Sequence, residues 1–276
     1  MEGIYMSKLI VKPTERDGDG KILSVSPESA GWEYVGFEVY SLKAGETLAK
    51  ETLSNEVCLV LLTGKATVET SDQTFEDIGH RMSVFEKVPP YAVYVTSDDQ
   101  YSVTANTDVE LAVCVAPGKG NHQTRLITPT DVGVEDRGHG KMSRKVHNIL
   151  PEQEPADSLL VVEVFTPDGN TSSYPPHKHD QDNLPQESYL EETYYHEVNP
   201  SQGFVFQRVY NDDRSLDETM AVEHRNVVLV PEGYHPVSCV PGYESYYLNV
   251  MAGPVRTWKF NNEPDHEWLF KGVMKN

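Results

Sequence analysis

The apolar positions of this chain fall in short runs, and few of them repeat at the i, i+3, i+4, i+7 spacing of an amphipathic helix. Runs rich in Val, Leu, Tyr and Phe lie at residues 34–40, 57–62, 66–69, 91–95, 109–115, 159–165, 193–198, 203–210, 226–230 and 245–251. Gly, Pro, Asn and Asp separate them, so each reads as a strand closed by a turn. Many short strands with turn signals between them predict an all-β sandwich or barrel. The stretch 117–145 breaks the pattern: it is rich in Gly and charge and reads as a linker. The two sides of it echo each other. Glu56, Gly64, Val88-Pro89 and Leu111–Gly118 recur in order as Glu192, Gly203, Val230-Pro231 and Leu248–Pro254.

Composition narrows what such a protein does. The chain has 276 residues, 38% of them hydrophobic, which is ample for a core. Lys and Arg number 23 against 43 Asp and Glu, a net charge of −20. That charge repels phosphate, and no basic stripe offsets it, so nucleic acid and anionic membrane surfaces are excluded as partners. No apolar run approaches the ~20 residues of a membrane span. Residues 1–11 lack a basic stretch followed by a long apolar one, so no secretory leader is expected. Cys58, Cys114 and Cys239 form no CxxC and read as core thiols in a reducing, cytoplasmic setting.

Chemistry concentrates in the second half. Of ten histidines, the first 121 residues hold only His80. In Pro175-Pro-His177-Lys-His179, residues i and i+2 of a strand point the same way, so the two imidazoles share a face and Lys178 faces away into solvent. Glu192 opens the run Thr-Tyr-Tyr-His196, and His235 closes Pro231-Glu-Gly-Tyr-His. His177, His179, Glu192 and His235 offer three imidazoles and a carboxylate, with the neighbouring Glu191 as the alternative carboxylate. Such a set suits one divalent ion (Zn, Mn, Fe or Ni) and leaves positions open for a ligand.

The order HxH, Glu, Gly, then PxG with a His resembles the cupin pattern. Two departures stand out. The gap from His179 to Glu192 is long, so residues 180–189 are an inserted loop, and one residue instead of two separates Gly233 from His235. More closely, Tyr174–Asp180, Glu191–His196, Gly203–Tyr210, Gly233–Val237 and Tyr246–Gly253 resemble the 5-deoxy-glucuronate isomerase family of bacterial inositol catabolism. Glu135-Asp-Arg-Gly138 and Arg144–Ile149 are similar to that family's linker. The resemblance implies two tandem cupin (double-stranded β-helix, jelly-roll) barrels: a degenerate, metal-free one at 1–120, a linker at 121–150 and a metal-binding one at 151–276. It further implies an aldose–ketose isomerase that converts 5-deoxy-glucuronate to 2-deoxy-5-keto-gluconate. Neighbouring activities are a ketol-isomerase for the deoxy-keto uronates of pectin breakdown, an Fe²⁺ cupin dioxygenase, and a sugar-binding cupin without catalysis.

A sugar-acid substrate needs a cation for its carboxylate, and Arg208 on the run 203–210 is the candidate. Gln207 points to the opposite face, so one of the two looks into the barrel. Tyr247 could hydrogen-bond a sugar hydroxyl. His196 shares the face of Glu192 and is the first candidate for the base, with Glu197 or Glu191 the second. Asp136 and Arg137 read as structural linker residues, with a role covering a barrel mouth as the alternative. The first half is expected to pack against the second and is compatible with a homo-oligomer.

Overall fold

The computed structural model describes residues 7–271. The expectation that 1–11 carry no leader thus falls partly outside the described residues. Every apolar run named above lies wholly or largely within a strand, and the strands build two barrels, each a large sheet faced by a small one. In the first, the order is Arg125–Ile127, Ala92–Val95, Asn55–Thr63, Val109–Pro117, Gly36–Leu42, Lys21–Val25. Four further strands between Thr47 and Ala105 face it. In the second, the order is Ile10–Val11, Val227–Val230, Glu191–Asn199, Glu244–Ala252, Leu160–Thr166, Arg144–Leu150, Gly133–Arg137. Its facing sheet runs Thr171–Ser172, Val237–Cys239, Phe204–Tyr210, Asp217–Glu223. This is the tandem cupin arrangement.

The large sheets meet back to back. One cluster packs between them, joining Phe37, Cys58, Val60 and Cys114 of the first half to Phe165, Tyr195, Leu248 and Val250 of the second. Each barrel has its own interior cluster as well. Strands buried on both faces explain why 57–62 and 111–116 read as unbroken apolar runs. All three cysteines are free and buried.

Residues 121–150, expected as a linker, are divided between the sheets. Arg125–Ile127 pairs with Ala92–Val95 at the edge of the first. Gly133–Arg137 and Arg144–Leu150 form a hairpin that completes the second. One strand also crosses between the halves, since Ile10–Val11, at the start of the first half, pairs with Val227 and Val228 of the second. Two carboxylates reinforce the crossing. Glu56 accepts the backbone N–H groups of Asp157, Ser158 and Leu159 at 2.7, 2.6 and 2.6 Å. Glu191 accepts those of Glu33, Tyr34 and Val35 at 2.6, 2.7 and 2.9 Å. Glu56 therefore corresponds in position and task to Glu191, not to Glu192.

Candidate metal and substrate site

Strand alternation along Glu191–Asn199 sorts its side chains. Glu192, Tyr194 and His196 point into the second barrel, whereas Glu191, Tyr195 and Glu197 point toward the first half. Glu192 meets two histidines there. Its Oε2 is 3.0 Å from His179 Nε2 and 3.3 Å from His235 Nε2. The ligand atoms of the three residues lie within 4.8 Å of one another, and all three side chains are buried. The long gap between His179 and Glu192 is taken up by a ribbon of Asp180–Asn183 against Glu187–Tyr189. His235 is placed by a turn that only glycine tolerates. Gly233 has φ +83°, and a Cβ there would lie 2.3 Å from the Tyr210 carbonyl oxygen. The Gly233 N–H is held by Asp180 at 2.8 Å.

The nitrogen partners reveal what the cluster is suited to hold. His179 Nδ1 is 3.1 Å from the Leu190 carbonyl and His235 Nδ1 is 2.8 Å from that of Gly233. A carbonyl only accepts, so each Nδ1 carries the proton in the neutral ring and each Nε2 presents a lone pair. Both lone pairs face a carboxylate, and buried His235 Nε2 has no hydrogen-bond partner. Burial pushes His235 down to about 3 and keeps it neutral. Burial acts the same way on His179, but the Glu192 carboxylate outweighs it and raises that ring above its ordinary value. Lone pairs converging on a carboxylate in a dry site fit a cation, so the residues present suit a divalent ion.

His177, expected as a fourth ligand, does not join this group of ligand atoms. Its ring lies 5.0 Å from that of His235, as near as the His179 ring at 5.1 Å. It packs on Phe260 at 4.7 Å, which sets its tilt. Burial, followed by the charge of His179, pushes it down to about 3. Lys178 faces away from the histidines as expected but is not solvated. It is buried and paired with Asp180 at 3.2 Å and Asp212 at 2.6 Å.

A cavity of about 430 Å³ opens beside the cluster, within the range of small-ligand sites. His177 and Glu192 line it, together with Tyr194, Tyr247, Asn249 and Ser173. The three hydroxyls are linked: Ser173 Oγ lies 2.9 Å from Tyr194 Oη and 3.3 Å from Tyr247 Oη. Burial raises both phenols, so they stay protonated. Tyr247, the candidate for hydrogen-bonding a sugar hydroxyl, lines this cavity.

Several other expected site residues are elsewhere. His196 is inside the barrel but does not line the cavity. It stacks against Tyr194 at 6.0 Å, and its Nε2 is 2.8 Å from Gln207 Oε1. Burial lowers it to about 4. Gln207 is buried and serves this histidine and the His235 carbonyl, not the cavity. Glu191 is engaged by three N–H groups of the other half. Glu197 is buried at the interface of the halves, where burial and then Glu110 push it up to about 8. Arg208 lies on the outer face, forked onto Asp217 at 2.7 and 2.7 Å and stacked over Tyr210. Its partner satisfies it in solvent, so Arg208→Ala should leave KM unchanged and cost less than about 1 kcal/mol of stability. Steady-state kinetics and thermal melting check both. The cations that do line the cavity are Arg137 and Arg144. The sequence reading placed both in the linker, and the similarity of those two segments to the family's was the signal that could have found them.

The KduI/IolB family model matches residues 9–269. Curated proteins named 5-deoxy-glucuronate isomerase are close over the full length. That of Geobacillus thermodenitrificans is 66% identical, with 98% of each chain covered. That of Bacillus subtilis strain 168 is 53% identical over 96% of this chain and 100% of its own. A crystal structure of an IolB-like protein from Salmonella typhimurium LT2 superposes with a TM-score of 0.93 at 56% identity, covering 95% of this chain and 99% of that one. The oxalate decarboxylase of Lactobacillus farciminis reaches 0.66 at 13% identity, covering 97% of this chain and 91% of its own, a likeness of fold alone. Among the described residues no helix is long and apolar enough to cross a membrane.

Proposed function

The chain belongs to the KduI/IolB family, and from that membership we propose that it is a metal-dependent 5-deoxy-glucuronate isomerase of inositol breakdown, yielding 2-deoxy-5-keto-gluconate. The observation that carries this reading is the convergence of His179 Nε2, His235 Nε2 and Glu192 Oε2 beside a ligand-sized cavity that Glu192 lines. The His177 ring stands 5.0 Å from that of His235 and lines the same cavity. A divalent ion bound there would polarise the C1 carbonyl and acidify the C2 hydrogen of an open-chain aldose.

The protein's own groups hold and polarise the oxygens of the substrate, while the C2 proton leaves to water and water returns one to C1. The reaction is redox-neutral: a hydrogen leaves C2, one returns to C1, the aldehyde becomes a primary alcohol and C2 a ketone. The protonated phenols of Tyr194 and Tyr247 and the Ser173 hydroxyl donate to oxygens that gain charge as the C2 proton leaves. The apolar walls Val146, Val162 and Val164 keep that region dry and strengthen these bonds. His196 supports the wall by stacking on Tyr194 and takes no proton from substrate.

The test is incubation with 5-deoxy-glucuronate in D₂O, followed by NMR. The expected product is the 5-ketose with deuterium in the new C6 methylene. No ketose would overturn the isomerase reading. Ketose free of deuterium would reject proton transfer and leave the isomerase reading standing.

A further inference from the structure

Two arginines oppose each other in the wall of the cavity. In the hairpin of Gly133–Arg137 with Arg144–Leu150, Arg137 is the direct register partner of Arg144. Like charges directly opposite on a sheet are destabilising. The adjacent register pair on the same strands, Asp136 with Lys145, is complementary and closes an ion pair at 3.0 Å. The like-charged pair therefore belongs to the face that lines the cavity.

Arg144 is the more telling of the two. Its Nη1 donates to the carbonyls of Met142 at 3.1 Å and Tyr174 at 3.2 Å. Among the described residues no carboxylate pairs with it, and none bonds to its Nη2 or Nε. Gly138 makes the fit tight: with φ +76°, a Cβ there would lie 2.7 Å from Arg144 Nη1. Two carbonyls thus fix the guanidinium and leave its other edge free, in a chain whose net charge is −20. Burial, and then neighbouring charges that include Arg137, lower its pKa without approaching neutrality at ordinary pH. Arg137 has Glu135 at 2.6 Å and lies over the Trp258 ring at 5.4 Å. It is anchored where its charge still bears on the same space.

We propose that Arg144, seconded by Arg137, is the carboxylate clamp of this cavity. It takes the carboxylate of an acyclic sugar acid whose carbonyl end meets His179, Glu192 and His235. The assignment rests on the isomerase reading and gives it a direction. The guanidinium edge binds a carboxylate bidentately and fixes which end of the six-carbon chain reaches the histidines. It also gives the cavity a reason to reject neutral aldoses, because without an anion the buried Arg144 guanidinium has no carboxylate and stands opposite a second arginine in register.

The experiment uses two probes. One is 5-deoxy-glucuronate, assayed by turnover. The other is the acid obtained by reducing its aldehyde to the alcohol, which cannot isomerise, assayed by titration calorimetry. Arg144→Gln should weaken binding of the reduced acid about 10–100-fold and raise KM by a similar factor. Arg144→Lys should recover part of the binding, and Arg137→Gln should show a smaller loss in the same direction. The 6-amide of 5-deoxy-glucuronate, which lacks the charge, should be equally poor for the wild type and Arg144→Gln. Unchanged binding of the reduced acid in both Arg144 variants, with the fold intact by circular dichroism, would overturn the clamp even if turnover persists. Arg144-dependent binding without any turnover by the wild type would uphold the clamp and remove the isomerase reading instead.

Discussion

Replacing Glu192 by Gln, or His235 by Ala, is expected to strip the divalent ion from an otherwise folded chain and to lower kcat/KM by at least about a thousandfold, the kinetic equivalent of roughly 4 kcal/mol. Both side chains converge on one point, and neither has another structural task of comparable weight. The control is the residue next door. Glu191→Gln should retain the ion, because that carboxylate points to the first half and holds the N–H groups of Glu33, Tyr34 and Val35. Its cost should appear in the melting temperature. Elemental analysis after dialysis, alongside thermal melting, separates the two effects. Full metal content in both Glu192→Gln and His235→Ala would end the assignment. Acid should release the ion from the wild type, since the rings bind only when neutral.

Arg81→Met should be among the most damaging substitutions remote from the cavity, costing about 3–5 kcal/mol of folding stability. Arg81 of the first half is 1% exposed and forks onto Glu163 of the second at 2.8 and 2.9 Å. Glu163 also meets His147 Nδ1 at 2.7 Å and accepts from Tyr246 Oη at 3.0 Å. Without the arginine, a carboxylate is left charged and under-compensated in the core. Burial opposes the Glu163 charge, yet Arg81 and His147 outweigh it and hold the carboxyl below its ordinary 4.5. The folded value is the lower one, so this contribution is complete above about pH 4.5 and is lost as pH falls through the folded value. Urea unfolding of the wild type and Arg81→Met at pH 7 and pH 4 checks both statements, and equal midpoints at pH 7 would refute the first.

The parts of the site that were legible in the sequence rest on local rules. That Lys178 turns away from the flanking histidines and that His196 shares the face of Glu192 follow from the two-residue period of a strand. Depth does not follow from period. His196 shares the face of Glu192 but lies behind Tyr194, and only the packing of Gln207 beneath it shows that. Alternation says that Gln207 and Arg208 face opposite ways, but not which of them faces the barrel. Polar strands such as Asp217–Glu223 escape an apolar scan because only Met220 and Val222 turn inward. Arg137 and Arg144 were hidden for a related reason: a hairpin that borders a cavity carries charge and glycine, the composition of a linker.

The crossing strand bears on how the chain is made. Val228, the partner of Ile10, is synthesised on the order of 200 residues later, about 10–40 s at the usual ~5–20 residues per second. Throughout that interval the first strand has no native partner. The back of the first large sheet likewise waits for Tyr195, Leu248 and Val250 to cover it. The nascent first half therefore emerges with an apolar face open to solvent, which stays open until the last strands leave the ribosome.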